Sequence, residues 1–186
     1  IIRLWTAHHE DPVLSGQLVD AFKKYPHFCD EVWFENASTL DGNMAHHRES
    51  AQKMKVMADK MREMGIIPSI QVVTVGHPEG PDTQPSPYDI HWGRMVGPDG
   101  SKAINQSCPR QKEFLKLLEE EFAIYGEACK PYGFWIDDDL PITSHNPATA
   151  ICYCDDCLKQ FNEENGYNLT REELVEVMKY AIGAAE

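Results

Sequence analysis

The chain has 186 residues and a formal net charge of −13 at pH 7. This length suits one domain with a sizeable core and is short for two, so we expect a single domain over residues 1–186. The negative charge argues against a nucleic-acid partner, because phosphate contacts require lysine and arginine concentrated on one face. No apolar run approaches the roughly 20 residues of a membrane-spanning helix, so we expect no membrane partner either.

The hydrophobic pattern predicts four repeats of a strand followed by a helix. The strands are rich in β-branched and aromatic residues, and the helices place apolar residues three and four positions apart. The predicted strands are residues 2–7, 31–35, 67–75 and 133–138, the helices are residues 12–24, 48–64 and 110–128 with a fourth starting at Thr170, and residues 76–108 form a loop.

Two local patterns make the helix predictions specific. In the last helix, Thr170 and Glu173 have the spacing of a capping box, and Leu169 and Leu174 that of a hydrophobic staple. In the second helix, a stripe of apolar residues at helical spacing predicts a face packed into the core. This stripe consists of Ala51, Met54, Met57, Ala58, Met61 and Met64, with Gly65 as the stop signal.

Alternating strands and helices predict an α/β fold with a parallel sheet and right-handed crossovers. Two architectures fit: half of a TIM (β/α)8 barrel, or a small open doubly wound sheet. No Gly-x-Gly-x-x-Gly or Walker motif follows the first strand, which weakens the nucleotide-binding form of the open sheet. A complete barrel takes about 250 residues, so four units predict the N-terminal half of the barrel of a longer enzyme. The strand-like start of the chain is compatible with a trimmed N-terminus.

Polar side chains follow all four predicted strands. In both architectures ligands bind at the carboxyl ends of the strands, so we expect the functional site among these residues. They are His8, His9 and Glu10 after the first strand, Glu35 and Asn36 after the second, His77 after the third, and Asp137, Asp138 and Asp139 at the end of the fourth.

Three cysteines, Cys152, Cys154 and Cys157, lie within six residues and cannot all pair with one another. Thiolates at this density favour a tetrahedral zinc site, which requires one more ligand. Cys108 lies in the loop after the third strand, which should place it at the same end of the sheet as these three cysteines. We therefore predict Cys108 as the fourth ligand, with His145 as the substitute. A zinc ion with four thiolate ligands is structural and does not activate water.

The alternative is a set of free thiols or a redox Cys-x-x-Cys pair. The remaining cysteines, Cys29 and Cys129, precede strands and are predicted to be buried thiols at the opposite end of the sheet. Thiol ligands favour a reducing compartment, so we expect a cytoplasmic location.

The strand Gly133-Phe134-Trp135-Ile136-Asp137-Asp138-Asp139, followed by Cys-x-Cys-x-x-Cys and Leu158-x-x-Phe161, resembles the fourth-strand region of family-42 glycoside hydrolases. These are β-galactosidases of a large retaining clan built on the (β/α)8 barrel. The resemblance covers about 50 residues, from Cys108 to Phe161 with gaps.

The resemblance implies a divergent member of that family. The family's fourth strand reads Gly-x-x-x-Asp-Asn-Glu, with the glutamate as general acid/base; here Asp139 stands at that glutamate and Asp138 at the asparagine. Many members hold zinc with a Cys-x-Cys-x-x-Cys run and an earlier cysteine, a position that Cys108 matches. No arginine ends the second strand, where many members carry one, and the family's nucleophile lies on a later strand beyond Glu186.

We therefore predict a glycoside hydrolase that acts on a β-linked sugar. Asp139 protonates the leaving oxygen, and Asp137, two residues earlier on the same side of the strand, raises the pKa of Asp139 by like-charge repulsion. Asp138 accepts hydrogen bonds from sugar hydroxyls. The predicted substrate-binding residues are His8, Glu35, Asn36 and His77 for hydroxyl groups and Trp92 for stacking on a sugar ring, ahead of Trp5 and Trp33.

Three other functions remain open. One is a non-catalytic carbohydrate-binding barrel. Another is a metal-dependent hydrolase or isomerase that uses His8, His9, Glu35 and Asp137 around a second ion. The third is a structural half-domain whose two open sheet edges pair with another copy, which predicts a homo-oligomer.

Overall fold

The computed structural model describes residues 1–37, 41–72, 75, 82–136 and 151–183. Contacts divide the chain into two compact units. We call Ile1–Thr74 with Leu117–Asp137 the sheet unit, and Val75–Lys116 with Asp138–Glu186 the cysteine unit. The predicted single domain over residues 1–186 stays a prediction.

The described residues form six strands and six helices. In chain order they are β1 (Ile2–Leu4), α1 (Ala7–Glu10), α2 (Pro12–Lys24), β2 (Glu31–Glu35), α3 (Met44–Glu63), β3 (Ile67–Val72), β4 (Arg94–Val96), β5 (Lys102–Ser107), α4 (Lys112–Cys129), β6 (Phe134–Ile136), α5 (Asp155–Asn165) and α6 (Arg171–Gly183).

The sheet unit contains a four-stranded sheet in which every strand runs parallel to its neighbours. The order across the sheet is β1-β2-β3-β6, which is also the order along the chain. The register pairs Leu4 with Phe34, Phe34 with Ile70, and Ile70 with Phe134. The α/β class and the parallel sheet that the sequence predicts are therefore confirmed.

One face of this sheet is packed against helices. Val32, Phe34 and Ile70 are at most 1% exposed, and strand alternation directs all three to the same side. The helices that cover them supply Val19 and Phe22 from α2, Ala51, Met54, Met57, Ala58 and Met61 from α3, and Tyr125 and Cys129 from α4.

Helix α3 has the apolar stripe that the sequence predicts, because the residues from Ala51 to Met61 on that stripe are at most 2% exposed. The helix begins four residues earlier than predicted, at Met44 rather than residue 48. Its N-cap is Asn43, whose side chain accepts hydrogen bonds from the N–H groups of Ala45 and His46. Gly65, with φ of +77°, follows the end of the helix as predicted.

The opposite face of the sheet carries polar and aromatic side chains. The rings of Trp33 and Trp135 stack with their centroids 4.5 Å apart. The Trp33 Nε1–H donates to Glu31 Oε1 at 2.8 Å, and the Ser69 hydroxyl donates to the same oxygen at 2.6 Å. The two faces of the sheet therefore differ in chemistry, since one is apolar and covered by helices while the other is polar and aromatic.

The cysteine unit contains the antiparallel hairpin of β4 and β5. In its turn, the Gly97 N–H donates to the Ser101 carbonyl at 2.8 Å, and Asp99 accepts a hydrogen bond from the Ser101 N–H. Gly100 has φ of +84°, a backbone conformation in which a residue with a side chain would be strained. The sequence pattern predicted a loop here, because the polar residues of β5 lack a clear alternation of apolar positions.

Two helices complete the cysteine unit. Helix α5 has no fully buried residue, so its periodic signal is weak and the sequence did not predict it. Helix α6 has the predicted capping box, because the Thr170 N–H donates to the Glu173 carboxylate at 2.8 Å and the Glu173 N–H donates to the Thr170 hydroxyl at 3.2 Å.

The first predicted strand, residues 2–7, is shorter in the structure because helix α1 begins at Ala7. The second strand agrees with its prediction at both ends, and so does α2. Among the described helices, none is both long and apolar enough to cross a membrane.

Replacing Met54 with alanine should lower the free energy of unfolding by about 2–5 kcal/mol, because the deletion leaves a cavity in the packed face of α3. Urea denaturation followed by circular dichroism measures this change. The control is Val56→Ala on the same helix, where the side chain is 54% exposed and a loss under about 1 kcal/mol is expected. Equal losses in the two variants would contradict the assignment of the core face.

Candidate metal centre

Four cysteine side chains converge in the cysteine unit. The sulfur atoms of Cys108, Cys152, Cys154 and Cys157 all lie within 4.8 Å of one another. The Cys108 sulfur is 3.7 Å from that of Cys154 and 3.5 Å from that of Cys157. A tetrahedron with Zn–S bonds of about 2.3 Å has sulfur–sulfur edges of about 3.8 Å. The four thiols therefore have a spacing that could hold a metal ion.

Backbone hydrogen bonds of the β4–β5 hairpin bring the two cysteine segments together. At the end of β5, the Cys108 N–H donates to the Gly93 carbonyl at 3.0 Å. On β4, the Val96 N–H donates to the Cys152 sulfur at 3.3 Å, and the Val96 carbonyl accepts from the Tyr153 N–H at 2.9 Å. The strand β4 thus aligns the Cys-x-Cys segment beside the end of β5.

Helix α5 positions the other two thiols. Cys154 is its N-cap residue, and the Leu158 N–H donates to the Cys154 carbonyl at 2.9 Å. Cys157 lies in the first turn, so both sulfur atoms belong to the N-terminal end of the helix. Unpaired N–H groups and the helix dipole favour negative charge at this end, which suits thiolate ligands.

The four thiols strongly influence one another's ionisation. Hydrogen bonding to Cys108, followed by Cys152 and Cys157, lowers the pKa of Cys154, and the backbone N–H of Cys157 lowers it further. Hydrogen bonding to Cys108 likewise lowers the pKa of Cys152. Hydrogen bonding to Cys152 and Cys154 raises the pKa of Cys108. The pKa of Cys157 is also raised, and its largest cause is the hydrogen bond to Cys108. A bound cation would favour the thiolate form of all four, because the thiolate is the form that binds metals.

Cys108, the fourth ligand that the sequence predicts, lies with the other three, whereas the substitute His145 lies outside the described residues. The two remaining cysteines, Cys29 and Cys129, are buried in the core of the sheet unit. The Cys129 thiol donates to the Ala51 carbonyl at 3.4 Å. Both therefore behave as the buried thiols that the sequence predicts.

Glu35 is at the carboxyl end of β2, on the polar face of the sheet. Its carboxylate accepts a hydrogen bond from the Thr6 hydroxyl at 3.3 Å and lies 4.0 Å from the Arg3 guanidinium. The Arg3 guanidinium also lies over the ring of Trp5, 4.8 Å from its centroid. Sequence analysis did not select Arg3 or Thr6. The feature that could have identified them is their position on either side of the carboxyl end of the first strand.

His8 and His9 do not combine with Glu35 into a metal site. His8 Nδ1 lies 3.2 Å from the Trp5 carbonyl, and the His9 ring packs edge-on to Phe34 on the helix-covered face. His9 is 4% exposed, and burial lowers its pKa to about 4, so the ring is neutral at pH 7. In the described part of the chain, the four cysteines are the one group placed to hold a metal ion.

Asn36 and Trp92 are both buried rather than open to a ligand. Asn36 is 3% exposed and donates its side-chain N–H to Glu121 Oε2 at 3.4 Å. Trp92 is 4% exposed, donates its Nε1–H to the Ser107 hydroxyl at 2.6 Å and stacks on Phe114. These contacts argue against the substrate-binding roles predicted for Asn36 and Trp92, because the required surfaces are already occupied.

The remaining predicted site residues, His77, Asp137, Asp138 and Asp139, lie outside the described residues. Sequence analysis missed the residues that support the cysteines, namely Gly93, Val96 and Tyr153. Gly93 and Val96 act through backbone atoms, as does Tyr153, so their side chains carry no signal for this role.

Comparison with known protein families found none that matches this chain. Comparison with curated proteins found no match either.

The purified protein should contain one tightly bound metal ion per chain, and Cys108→Ser should lower the metal content well below that value because it removes one of four ligands. Native mass spectrometry and elemental analysis measure the metal content. The control Cys29→Ser changes a thiol outside the cluster and should leave it unchanged. Protein that lacks metal after purification in reducing, chelator-free buffer would contradict the metal site.

Proposed function

We propose that this chain is the N-terminal part of a (β/α)8-barrel glycoside hydrolase, a divergent relative of family 42 that acts on a β-linked sugar. The observation that supports this proposal most is the convergence of the four cysteines. Cys108 and the Cys-x-Cys-x-x-Cys run match the family's zinc-binding pattern in sequence, and their sulfur atoms lie within 4.8 Å of one another.

Zinc is the proposed metal because the ligand set consists entirely of sulfur. Thiolates are soft ligands, and a four-thiolate tetrahedral site is typical of structural zinc. Because all four ligand positions are occupied by cysteine, the ion would have no open position for water or substrate. Its proposed role is to tie the β4–β5 hairpin to the start of α5.

The strand order supports the barrel rather than the doubly wound alternative. A doubly wound sheet reverses its strand order at a switch point, which sends helices to both faces. Here the order β1-β2-β3-β6 follows the chain without reversal, and residues from α2, α3 and α4 form one core with a single face of the sheet. Parallel neighbours with right-handed crossovers in this order are the arrangement of a barrel. Four further strand–helix units would be needed to close it.

The carboxyl ends of β1 and β2 have chemistry suited to a sugar. Trp5 is 55% exposed and offers a flat apolar face, while Glu35 and Arg3 provide a charged acceptor and donor close by. Sugar sites combine aromatic faces with positioned polar groups in this manner. Trp5 therefore replaces Trp92 as the proposed stacking residue.

Asp139 is the proposed general acid and Asp137 the neighbour that raises its pKa. Both lie outside the described residues, so the role of Asp139 rests on the resemblance to the family and that of Asp137 on the alternation of side chains along a strand. In a retaining enzyme the second carboxylate would lie about 5–5.5 Å from the acid, and it would come from a later strand.

In the full-length protein, Asp139→Asn should lower kcat/KM on an alkyl β-glycoside by about 10²–10⁴-fold, because the leaving oxygen loses its proton donor. A 2,4-dinitrophenyl glycoside should lose much less activity, since its leaving group departs without protonation. Steady-state assays on both substrates measure the difference.

The control Asp20→Asn changes an exposed aspartate on α2 and should retain activity on both substrates. Unchanged rates for Asp139→Asn, or equal losses on both substrates, would contradict the acid role. Sugar binding without hydrolysis by the full-length protein would instead support the non-catalytic barrel.

A further inference from the structure

A cluster of buried polar side chains lies between the end of β2 and helices α3 and α4. His47, Glu121 and Tyr125 are 0%, 1% and 1% exposed. Buried titratable groups are costly unless their hydrogen-bonding capacity is satisfied, so their arrangement requires a physical explanation. The proposed glycoside hydrolysis does not use these residues.

Two members of the cluster hold the residues that directly follow β2. The Tyr125 hydroxyl accepts a hydrogen bond from the Ala37 N–H at 3.1 Å. Glu121 Oε2 accepts one from the Asn36 side chain at 3.4 Å. Both bonds come from α4, so this helix anchors the beginning of the β2–α3 connection.

His47 contacts the other end of the connection, and the ring nitrogen that carries its hydrogen can be assigned. The Asp41 carbonyl, 2.8 Å from His47 Nε2, can only accept a hydrogen bond, while His47 Nδ1 lies 3.4 Å from the Tyr125 hydroxyl. The neutral imidazole then carries its hydrogen on Nε2. Nε2 lies 2.8 Å from the Asp41 carbonyl, which accepts that hydrogen, and 3.4 Å from Glu121 Oε1, a buried oxygen with no hydrogen-bond partner among the described residues.

Protonation decides which of these acceptors is stronger. Burial raises the pKa of Glu121 to about 8, with a further contribution from the negative charge of Asp41. Glu121 is therefore neutral at pH 7 and ionises in mildly alkaline solution. Burial lowers the pKa of His47, so the ring stays neutral over the same range.

The charged groups around the cluster are paired with other partners. The Asp41 carboxylate lies 2.5 Å from His46 Nδ1 and accepts from the Asn43 N–H, Arg48 pairs with Glu120 at 2.7 Å, and Glu10 accepts from the Ser50 hydroxyl at 2.7 Å.

We propose that Glu121 and His47 form a proton-operated clasp on the Asp41 end of the β2–α3 connection. While Glu121 is neutral, the His47 Nε2–H binds the Asp41 carbonyl. When Glu121 loses its proton to solvent, its charged oxygen becomes the stronger acceptor and takes the same hydrogen. The Asp41 carbonyl then loses its hydrogen bond to His47, while the Asp41 carboxylate keeps its contacts with His46 and the Asn43 N–H.

The test is a pH titration of the isotope-labelled protein by NMR. The Gly42 amide shares a peptide group with the Asp41 carbonyl, so its shift reports on the bond that His47 makes there. We expect the Gly42 amide and the Glu121 carboxyl carbon to titrate together with a midpoint near pH 8. A Gly42 amide that stays unchanged while Glu121 ionises would overturn the clasp.

Two variants sharpen the assignment. Glu121→Gln should abolish the Gly42 transition, and the matched control Glu120→Gln, on the exposed side of the same helix, should retain it. A Gly42 transition that persists in folded Glu121→Gln would overturn the proposal. If Glu121→Gln fails to fold, the two midpoints measured in the unaltered protein still decide between these outcomes.

Discussion

The close approach of four sulfur atoms is the constraint on which the cysteine unit depends. Sulfur atoms as near as 3.5 Å cannot all be thiolates unless a cation offsets their charge. The surrounding structure favours that charge through the N–H of Val96, the N-terminal end of α5 and the N–H groups within the cysteine run. A hairpin, a helix start and a metal ion would thus stabilise one another, in a segment with little apolar periodicity of its own.

The two faces of the sheet in the sheet unit carry different kinds of side chain, and polar residues gather at the carboxyl ends of its strands. Apolar side chains such as Phe34 and Ile70 provide the hydrophobic stabilisation on the helix-covered face. On that same side, the buried cluster around Glu121 holds the chain as it leaves β2. The polar face carries Glu35 and the stacked pair Trp33 and Trp135. A rigid core therefore supports residues at the strand ends, where parallel-sheet proteins bind ligands.

Agreement between sequence and structure is best where the signal is local and periodic. Helix α2 follows its prediction because Asp11 caps the N–H groups of Val13 and Leu14, with Pro12 in the first turn. The capping box at Thr170 agrees for the same reason. Agreement fails for α5, which buries no residue, and for the β4–β5 hairpin, whose pairing partners are joined by a turn within a polar segment.

Residue types and their spacing were sufficient to identify the strand–helix repeat and the core face of α3, because these depend on short-range patterns, and the order of strands and helices was sufficient to group Cys108 with the other three cysteines. Only the tertiary structure could decide which polar side chains remain accessible. Asn36 and Trp92 are residue types that often bind sugars, yet Asn36 is buried against Glu121 and Trp92 against Phe114. Those contacts join residues distant in the chain, and no local pattern encodes the packing that brings them together.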